Sequence, residues 1–174
     1  MFPDGFQTRR LLLRPIILAD ARPIFDGYAQ DAEVSRYLTW RPHLSIEQTE
    51  AYVQASLAAT TLRTYVLVRR MDDAVIGAFD LRQAAATRLE YGYVLARAFW
   101  GRGLMTEALA EVVAWALRQP SIWRIGAVCD VENRASARVM EKAGLEREAI
   151  LRRWLVHPNL GEAPRDCFSY AKVR

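Results

Sequence analysis

The run Phe99-Trp100-Gly101-Arg102-Gly103-Leu104-Met105-Thr106-Glu107-Ala108 decides the reading of this chain. Upstream, Arg88 to Leu95 alternates as a strand does: Leu89, Tyr91, Tyr93 and Leu95 share one face, and Glu90, Gly92 and Val94 the other. Downstream, Met105, Ala108, Leu109, Val112, Val113 and Ala116 recur at helical spacing until Gln119-Pro120 stops the helix. A glycine turn between a strand and a helix start gathers unpaired backbone N–H groups at the positive end of a helix dipole. Such a turn is an anion site, and phosphate is its usual guest.

Working outward, Thr8 to Pro15 is predicted as a first strand, and Asp20 as the cap of a short helix through about Tyr28. The stretch from Tyr37 to His43 is loop-like and aromatic. Ser45-Ile46-Glu47-Gln48 has the form of a capping box opening a helix to about Ala58. Thr64–Arg70 and Ala74–Arg82 form a hairpin around Met71-Asp72-Asp73. Beyond the central helix, Trp123–Val131 reads as a strand, Asn133 as the N-cap of a helix through Ala143, and Gly144 as its C-terminal glycine. Leu145–His157 and Asp166–Val173 complete the pattern as two strands around a loop. The expected fold is a mixed α/β (α+β) domain over residues 1–174, with a mostly antiparallel sheet covered by helices.

Bulk properties narrow the function classes. Apolar residues make up 52% of the chain and charged residues 25%, as in globular proteins, and the formal charge is only +4. The arginines are scattered, so a mild basic surface suits small anions and gives no support for nucleic-acid binding. No apolar run approaches the ~18–20 residues of a membrane span, and the N-terminus lacks the apolar core of a signal peptide. Cys129 and Cys167 lie far apart without metal-ligand spacing, so they read as buried free thiols in a reducing, cytoplasmic setting, and no metal is expected.

Which phosphate ligand the turn holds follows from exclusion and then from likeness. A Walker loop, G-x-x-x-x-G-K-S/T, needs a lysine that is absent here, and the dinucleotide fingerprint needs a third glycine where Thr106 stands. The segment instead resembles motif A of the GNAT N-acetyltransferase superfamily, Q/R-x-x-G-x-G/A. Aligned on the central glycine, its positions are Trp100, Gly103 and Met105, of which only the glycine is strict. The wording Trp100-Gly101-Arg102-Gly103-Leu104-Met105-Thr106-Glu107-Ala108 is very like the branch that contains the Rim-type ribosomal-protein alanine N-acetyltransferases. Three further segments agree in order: Thr8–Arg14 with the first strand, Leu89–Leu95 with the fourth, and Asn133–Leu145 with the helix N-x-x-S-x-x-V-M-E-K-x-G-F/L.

The resemblance implies a sheet of about seven strands with about four helices, splayed between the fourth and fifth strands. It implies acetyl-CoA as cosubstrate. The pantetheine would pair with Tyr93, Val94 and Leu95, and the pyrophosphate would sit on the amides of Trp100, Gly101, Arg102, Gly103, Leu104, Met105 and Thr106. Arg102 and Arg97 are candidate phosphate partners, and Asn133 would reach the pantetheine. Many relatives carry an acidic Tyr seven positions after that Asn. Met140 stands there, so Ser136 becomes the candidate that meets the leaving thiolate. Glu90 is the candidate general base, with His157 and Asp166 as fallbacks. Leu155 aligns where a Rim-type relative carries a Glu. A strand-four amide, that of Val94 or Leu95, would face the oxyanion. Trp40, Arg41, Pro42 and His43 would line one acceptor wall, and Trp154, His157, Pro158 and Asn159 the other.

The activity so implied is N-acetyl transfer to a primary amine by direct attack in a ternary complex. The acceptor is a protein N-terminus or a small amine, and the protein a monomer or homodimer with no membrane contact. A non-catalytic acyl-CoA-binding domain is the alternative that the missing Tyr raises.

Overall fold

The computed structural model describes residues 2–174. One eight-stranded sheet runs through it in the order β1-β2-β3-β4-β5-β6-β8-β7. The strands are β1 (Phe6–Gln7), β2 (Leu11–Pro15), β3 (Leu62–Arg69), β4 (Ala74–Ala85), β5 (Arg88–Leu95), β6 (Arg124–Asp130), β7 (Glu146–Leu155) and β8 (Arg165–Val173). Every neighbouring pair is antiparallel except β5 and β6. The helices are α1 (Ala21–Ile24), α2 (Ala32–Ser35), α3 (Ile46–Ala58), α4 (Leu104–Arg118) and α5 (Arg134–Lys142). The two-residue β1 and the short α2 account for the larger counts of strands and helices than the sequence reading gives.

Alternation along the strands sorts the interior onto the two sheet faces. Leu11, Leu13, Tyr65, Leu67, Leu89 and Tyr91 pack with Leu104, Met105, Leu109, Val112 and Met140 of α4 and α5. Val66, Val68 and Val53 pack with Ile16, Ile24 and Tyr28 on the other face. Strand β3 is therefore buried on both faces and reads as a near-continuous apolar run. Helix α4 carries its buried residues as the spacing predicts, and each fully buried Leu or Val there contributes about 1.5–3 kcal/mol.

Three local expectations change. Thr8–Arg10 is not strand but the turn of a β1–β2 hairpin, because the Thr8 N–H donates to Leu11 O at 2.9 Å. Asp20 does not cap α1 through its side chain. Its buried carboxylate accepts from the Ile17 N–H and from both terminal nitrogens of Arg14, and the segment to Ala29 continues as irregular helix. Ser45 precedes α3 but makes no side-chain cap bond; Gln48 Oε1 instead accepts from the Leu44 N–H at 2.7 Å.

What positions the site is the parting of β5 and β6. They pair only at Arg88–Arg124, Leu89–Ile125 and Glu90–Gly126. Beyond that rung β5 runs on to Leu95 and β6 to Asp130 without pairing to each other, so the sheet opens into a cleft. These two are the fourth and fifth strands of the family scheme, shifted by one through β1.

Candidate active site

Backbone direction along β5 decides which groups face the cleft. The Ala96 N–H donates to Ile76 O on β4, and direction alternates from residue to residue. Val94 therefore turns its N–H and C=O toward β4, where its carbonyl lies 2.3 Å from an ideal Cβ on Gly77. Tyr93 and Leu95 turn theirs into the cleft. Of the three β5 residues expected to pair with a pantetheine, Val94 is thus committed to β4 through its backbone. The Leu95 carbonyl also has a partner, the Trp100 Nε1–H at 2.7 Å, which folds the following turn back on the strand end. This leaves the Tyr93 N–H and C=O and the Leu95 N–H facing the cleft, so of Val94 and Leu95 only Leu95 has its N–H there.

The glycine turn adopts the backbone an anion cradle needs. Gly101 and Gly103 have φ of 73° and 71°, in the left-handed region that glycine enters without cost. Gly103 is the residue before α4, and the first intrahelical bond is from Glu107 N to Gly103 O. The N–H groups of Leu104, Met105 and Thr106 therefore have no helical acceptor. Arg10, from the β1–β2 turn, braces this loop: one guanidinium nitrogen donates to Arg102 O at 2.9 Å, while its Nε and backbone N–H both bind the Glu107 carboxylate. Partial burial alone would raise the Glu107 carboxyl, but hydrogen bonds from Thr8 and Arg10 outweigh it and hold the group below its ordinary range. Sequence reasoning missed this bracing role, since 97 positions separate the partners. Arg102 lies over the Phe99 ring and has no carboxylate partner among the described residues, whereas Arg97 is drawn off to Asp31 at 3.1 Å.

On the α4–α5 face, Asn133 caps α5 as expected, its Oδ1 accepting from the Ser136 N–H at 3.1 Å. The Ser136 hydroxyl lies 2.9 Å from the Tyr93 hydroxyl, so this bond joins α5 to β5 across the cleft. Met140 is fully buried in the core and carries no ionisable proton. Cys129, on β6, is buried, and burial pushes its thiol up to about 12; Cys167 is likewise pushed up to about 11, so both stay protonated thiols at neutral pH. Glu90 stands at the last β5–β6 rung with its side chain on the opposite face from Tyr93. It is half-exposed, with Arg88 at 3.8 Å.

The two segments expected to line an acceptor meet in part. Asn159 Nδ2 donates to both Ser35 O and Trp40 O at 2.7 Å, tying the loop after β7 to the loop after α2. Trp40 and His43 pack against each other, His43 Nδ1 lies 2.7 Å from Thr49 Oγ1, and burial lowers the imidazole below its ordinary range, favouring the neutral ring. His157 lies beneath the wall rather than along it. It is 2% exposed, edge-on to Tyr37, with Nε2 3.6 Å from Asp130 and neither ring nitrogen hydrogen-bonded. Trp154 stands 58% exposed on the edge strand β7. Asp166 Oδ1 accepts from the Arg153 N–H, which makes it part of the β7 bulge. Leu155 pairs with Arg165 at the end of β7. Among the described residues no group of three or more His, Cys, Asp or Glu is placed to hold a metal, and no helix is long and apolar enough to cross a membrane.

Comparison with known proteins fits this geometry. The family model for the acetyltransferase (GNAT) domain matches residues 10–146. The uncharacterized N-acetyltransferase YoaA of Bacillus subtilis (strain 168) is 32% identical over 160 residues, 89% of each chain. Two solved structures share the fold. One is the microcin C7 self-immunity acetyltransferase MccE in complex with acetyl-CoA and AMP (TM-score 0.87, 18% identity, 99% of this chain and 98% of that one). The other is RimL, a ribosomal L7/L12 α-N-protein acetyltransferase, in complex with coenzyme A (TM-score 0.83, 20% identity, 95% of each chain). A turn of free amides above a parted parallel strand pair, matched over most of its length by that family model, makes this chain a member of the GNAT acetyltransferase family.

Proposed function

We propose that this chain is an acetyl-CoA-dependent N-acetyltransferase that acts on a primary amine, with a protein N-terminus as the leading acceptor. The observation that carries the proposal is the parting of β5 from β6 after Glu90–Gly126, with the unpaired amides of Leu104, Met105 and Thr106 at the end of the same strand. A CoA-shaped ligand needs both: an extended edge for its amide-rich arm and a concentrated positive pole for its pyrophosphate. The edge is supplied by Tyr93 and Leu95, and the pole by the Trp100–Thr106 turn, with Arg102 free to meet a phosphate oxygen.

When bound, acetyl-CoA supplies the acetyl group as an activated thioester. The residues do the rest. The Leu95 N–H is the cleft-facing donor available to a developing oxyanion. Ser136, whose amide is fixed by Asn133, offers a hydroxyl to the departing thiolate. Glu90, on the opposite face, is the proposed acceptor of the amine's proton, directly or through a water. The buried free thiols fit a cytoplasmic setting, as a monomer or homodimer.

The Rim-like wording of the turn supports the peptide acceptor. A small amine is favoured by one specific observation: Asn159 draws the two acceptor loops together, which narrows that side of the cleft. A thiol-release assay with acetyl-CoA against alanine- and serine-initiated peptides, polyamines and amino acids separates the two. Turnover of peptides supports the leading acceptor, and turnover confined to small amines replaces it. Acetyl-CoA binding without thiol release on the whole panel, water included, would leave an acyl-CoA-binding domain and overturn the enzyme.

A further inference from the structure

Tyr93 was expected to serve a bound cofactor through its backbone, yet its side chain makes the cleft's most specific polar contact. Its hydroxyl lies 2.9 Å from Ser136 Oγ and can donate, at 3.3 Å, to Ser136 O. Both ends of this contact are held. The Tyr93 ring stacks on Tyr91 at 6.1 Å and on Phe79 at 6.2 Å, and Ser136 is fixed in the first turn of α5 by Asn133. Burial alone does not account for the contact, because the neighbouring Tyr91 hydroxyl is buried and has no partner.

Each hydroxyl has one proton to give, so within the pair two arrangements exist, and the Cys129 sulfur is a further hydrogen-bond partner within reach of the Ser136 hydroxyl. In one, Ser136 donates to the Tyr93 oxygen and Tyr93 donates to Ser136 O. In the other, Tyr93 donates to Ser136 Oγ, which frees the serine proton for a third acceptor. Only rotation about two C–O bonds separates them. A thiolate beside Ser136 selects the second arrangement, because a hydrogen bond to a charged acceptor is about twice as strong as a neutral one.

We infer, resting on the reading of Ser136 as the group that meets the leaving thiolate, that Tyr93 is a positioning residue whose hydroxyl donates to Ser136 Oγ and aims the serine proton at the sulfur. Burial raises the phenol far above its ordinary range, so it keeps its proton at any working pH. The other titratable groups beside the pair, the Tyr91 phenol and the Cys129 thiol, are raised by burial as well and stay neutral.

Titrating the thiol of coenzyme A bound to the full chain tests this without an acceptor amine. Thiolate absorbance is followed as the difference between complex and free protein. Cys129 and Cys167, pushed up to about 12 and about 11, titrate above the range of interest and stay silent within it. The wild-type protein is expected to lower the CoA thiol pKa by about one unit, a tenfold preference for the thiolate. Tyr93→Phe keeps the ring and its stacking, and should surrender at least half of that shift. Ser136→Ala should surrender all of it, the double variant no more than Ser136→Ala alone, and Ser136→Thr, which keeps a hydroxyl, should retain it. An unchanged circular dichroism spectrum and a cooperative urea transition for Tyr93→Phe separate aiming from folding. A full shift in Tyr93→Phe alongside a lost one in Ser136→Ala overturns the Tyr93 role alone. A full shift in Ser136→Ala overturns the reading of Ser136 and this inference with it.

Discussion

At the scale of single residues, Gly103 and the Asp130 cluster carry the sharpest consequences. Gly103 sits at φ 71°, and the nearest atom to a Cβ built there is a terminal nitrogen of Arg10 at 3.7 Å. A Cβ there would meet no clash, so the cost is mainly conformational, at least about 1–2 kcal/mol for a left-handed residue. Gly103→Val should lower stability in urea by that amount, yet weaken CoA binding by calorimetry more than tenfold, because relaxing φ re-aims the Leu104–Thr106 amides. Unchanged affinity would remove the turn from the phosphate site. Asp130 is fully buried. Burial would raise its carboxyl, but Arg165, the Glu132 N–H and His157 outweigh that and hold it below its ordinary range. A carboxyl depressed in the folded state stabilises above its unfolded pKa of about 3.9 and loses that contribution as the pH falls through the folded value. Arg165→Met leaves a buried carboxylate unpaired and should cost about 3 kcal/mol at pH 7. The gap from wild type should narrow as the pH falls from neutrality, because the variant's buried Asp130 then takes up a proton, and should close only as the pH falls through the depressed value of the wild-type carboxyl. Unfolding curves from pH 7 to 3 check both the size and the sign, and a gap that widens in acid would refute the assignment.

At the scale of elements, the cleft depends on β5 being held against β4 while it leaves β6. Gly77 allows this: it pairs with Leu95, and a Cβ there would lie 2.3 Å from Val94 O. No flexible side chain can yield, since the atom met is backbone. Gly77→Ala should therefore push the end of β5 into the cleft, costing about 1–3 kcal/mol of stability and lowering CoA affinity. Guanidinium unfolding with calorimetry would show it, and a variant with wild-type affinity would mean that the strand end does not contact the ligand. Helix α4 and the caps of α5 were legible in sequence because their signals are local: apolar spacing for one, Asn133 and Gly144 for the other. The β1–β2 turn was not. Thr8–Arg10 has strand-like neighbours, and only the Thr8–Leu11 bonds and the reach of Arg10 to Glu107 turn it into a hairpin.

At the scale of the whole molecule, the side proposed to receive the acceptor is tied together by contacts between segments far apart in sequence. Asn159 bridges to Ser35 and Trp40 across 124 and 119 positions. Asn159→Ala removes both bonds while leaving the cofactor strand, the glycine turn and α5 untouched. Hydrogen exchange in residues 35–43 should rise, and acetyl-CoA affinity by calorimetry should not change. Faster exchange across β5 as well would mean that the acceptor wall and the cofactor cleft form one cooperative unit. His157 shows the same dependence on assembly. By sequence it was a wall residue, but packing sinks it beneath Tyr37 and against Asp130, where its ring nitrogens meet no hydrogen-bond partner.

The sequence by itself determined the family, the order of the seven longer strands and of every helix but α2, and the glycine turn before α4. Each is written in local terms: alternation, helical spacing, left-handed glycines and a capping Asn, all set by neighbours within a few positions. Tertiary structure alone decided where β5 and β6 part, which of Tyr93, Val94 and Leu95 faces the cleft, that Arg10 braces the glycine turn, and that the Tyr93 hydroxyl meets Ser136. Those outcomes depend on sheet register and on pairs tens of residues apart. A register sets the direction of every N–H and C=O in a strand, and nothing within a strand's own residues fixes it.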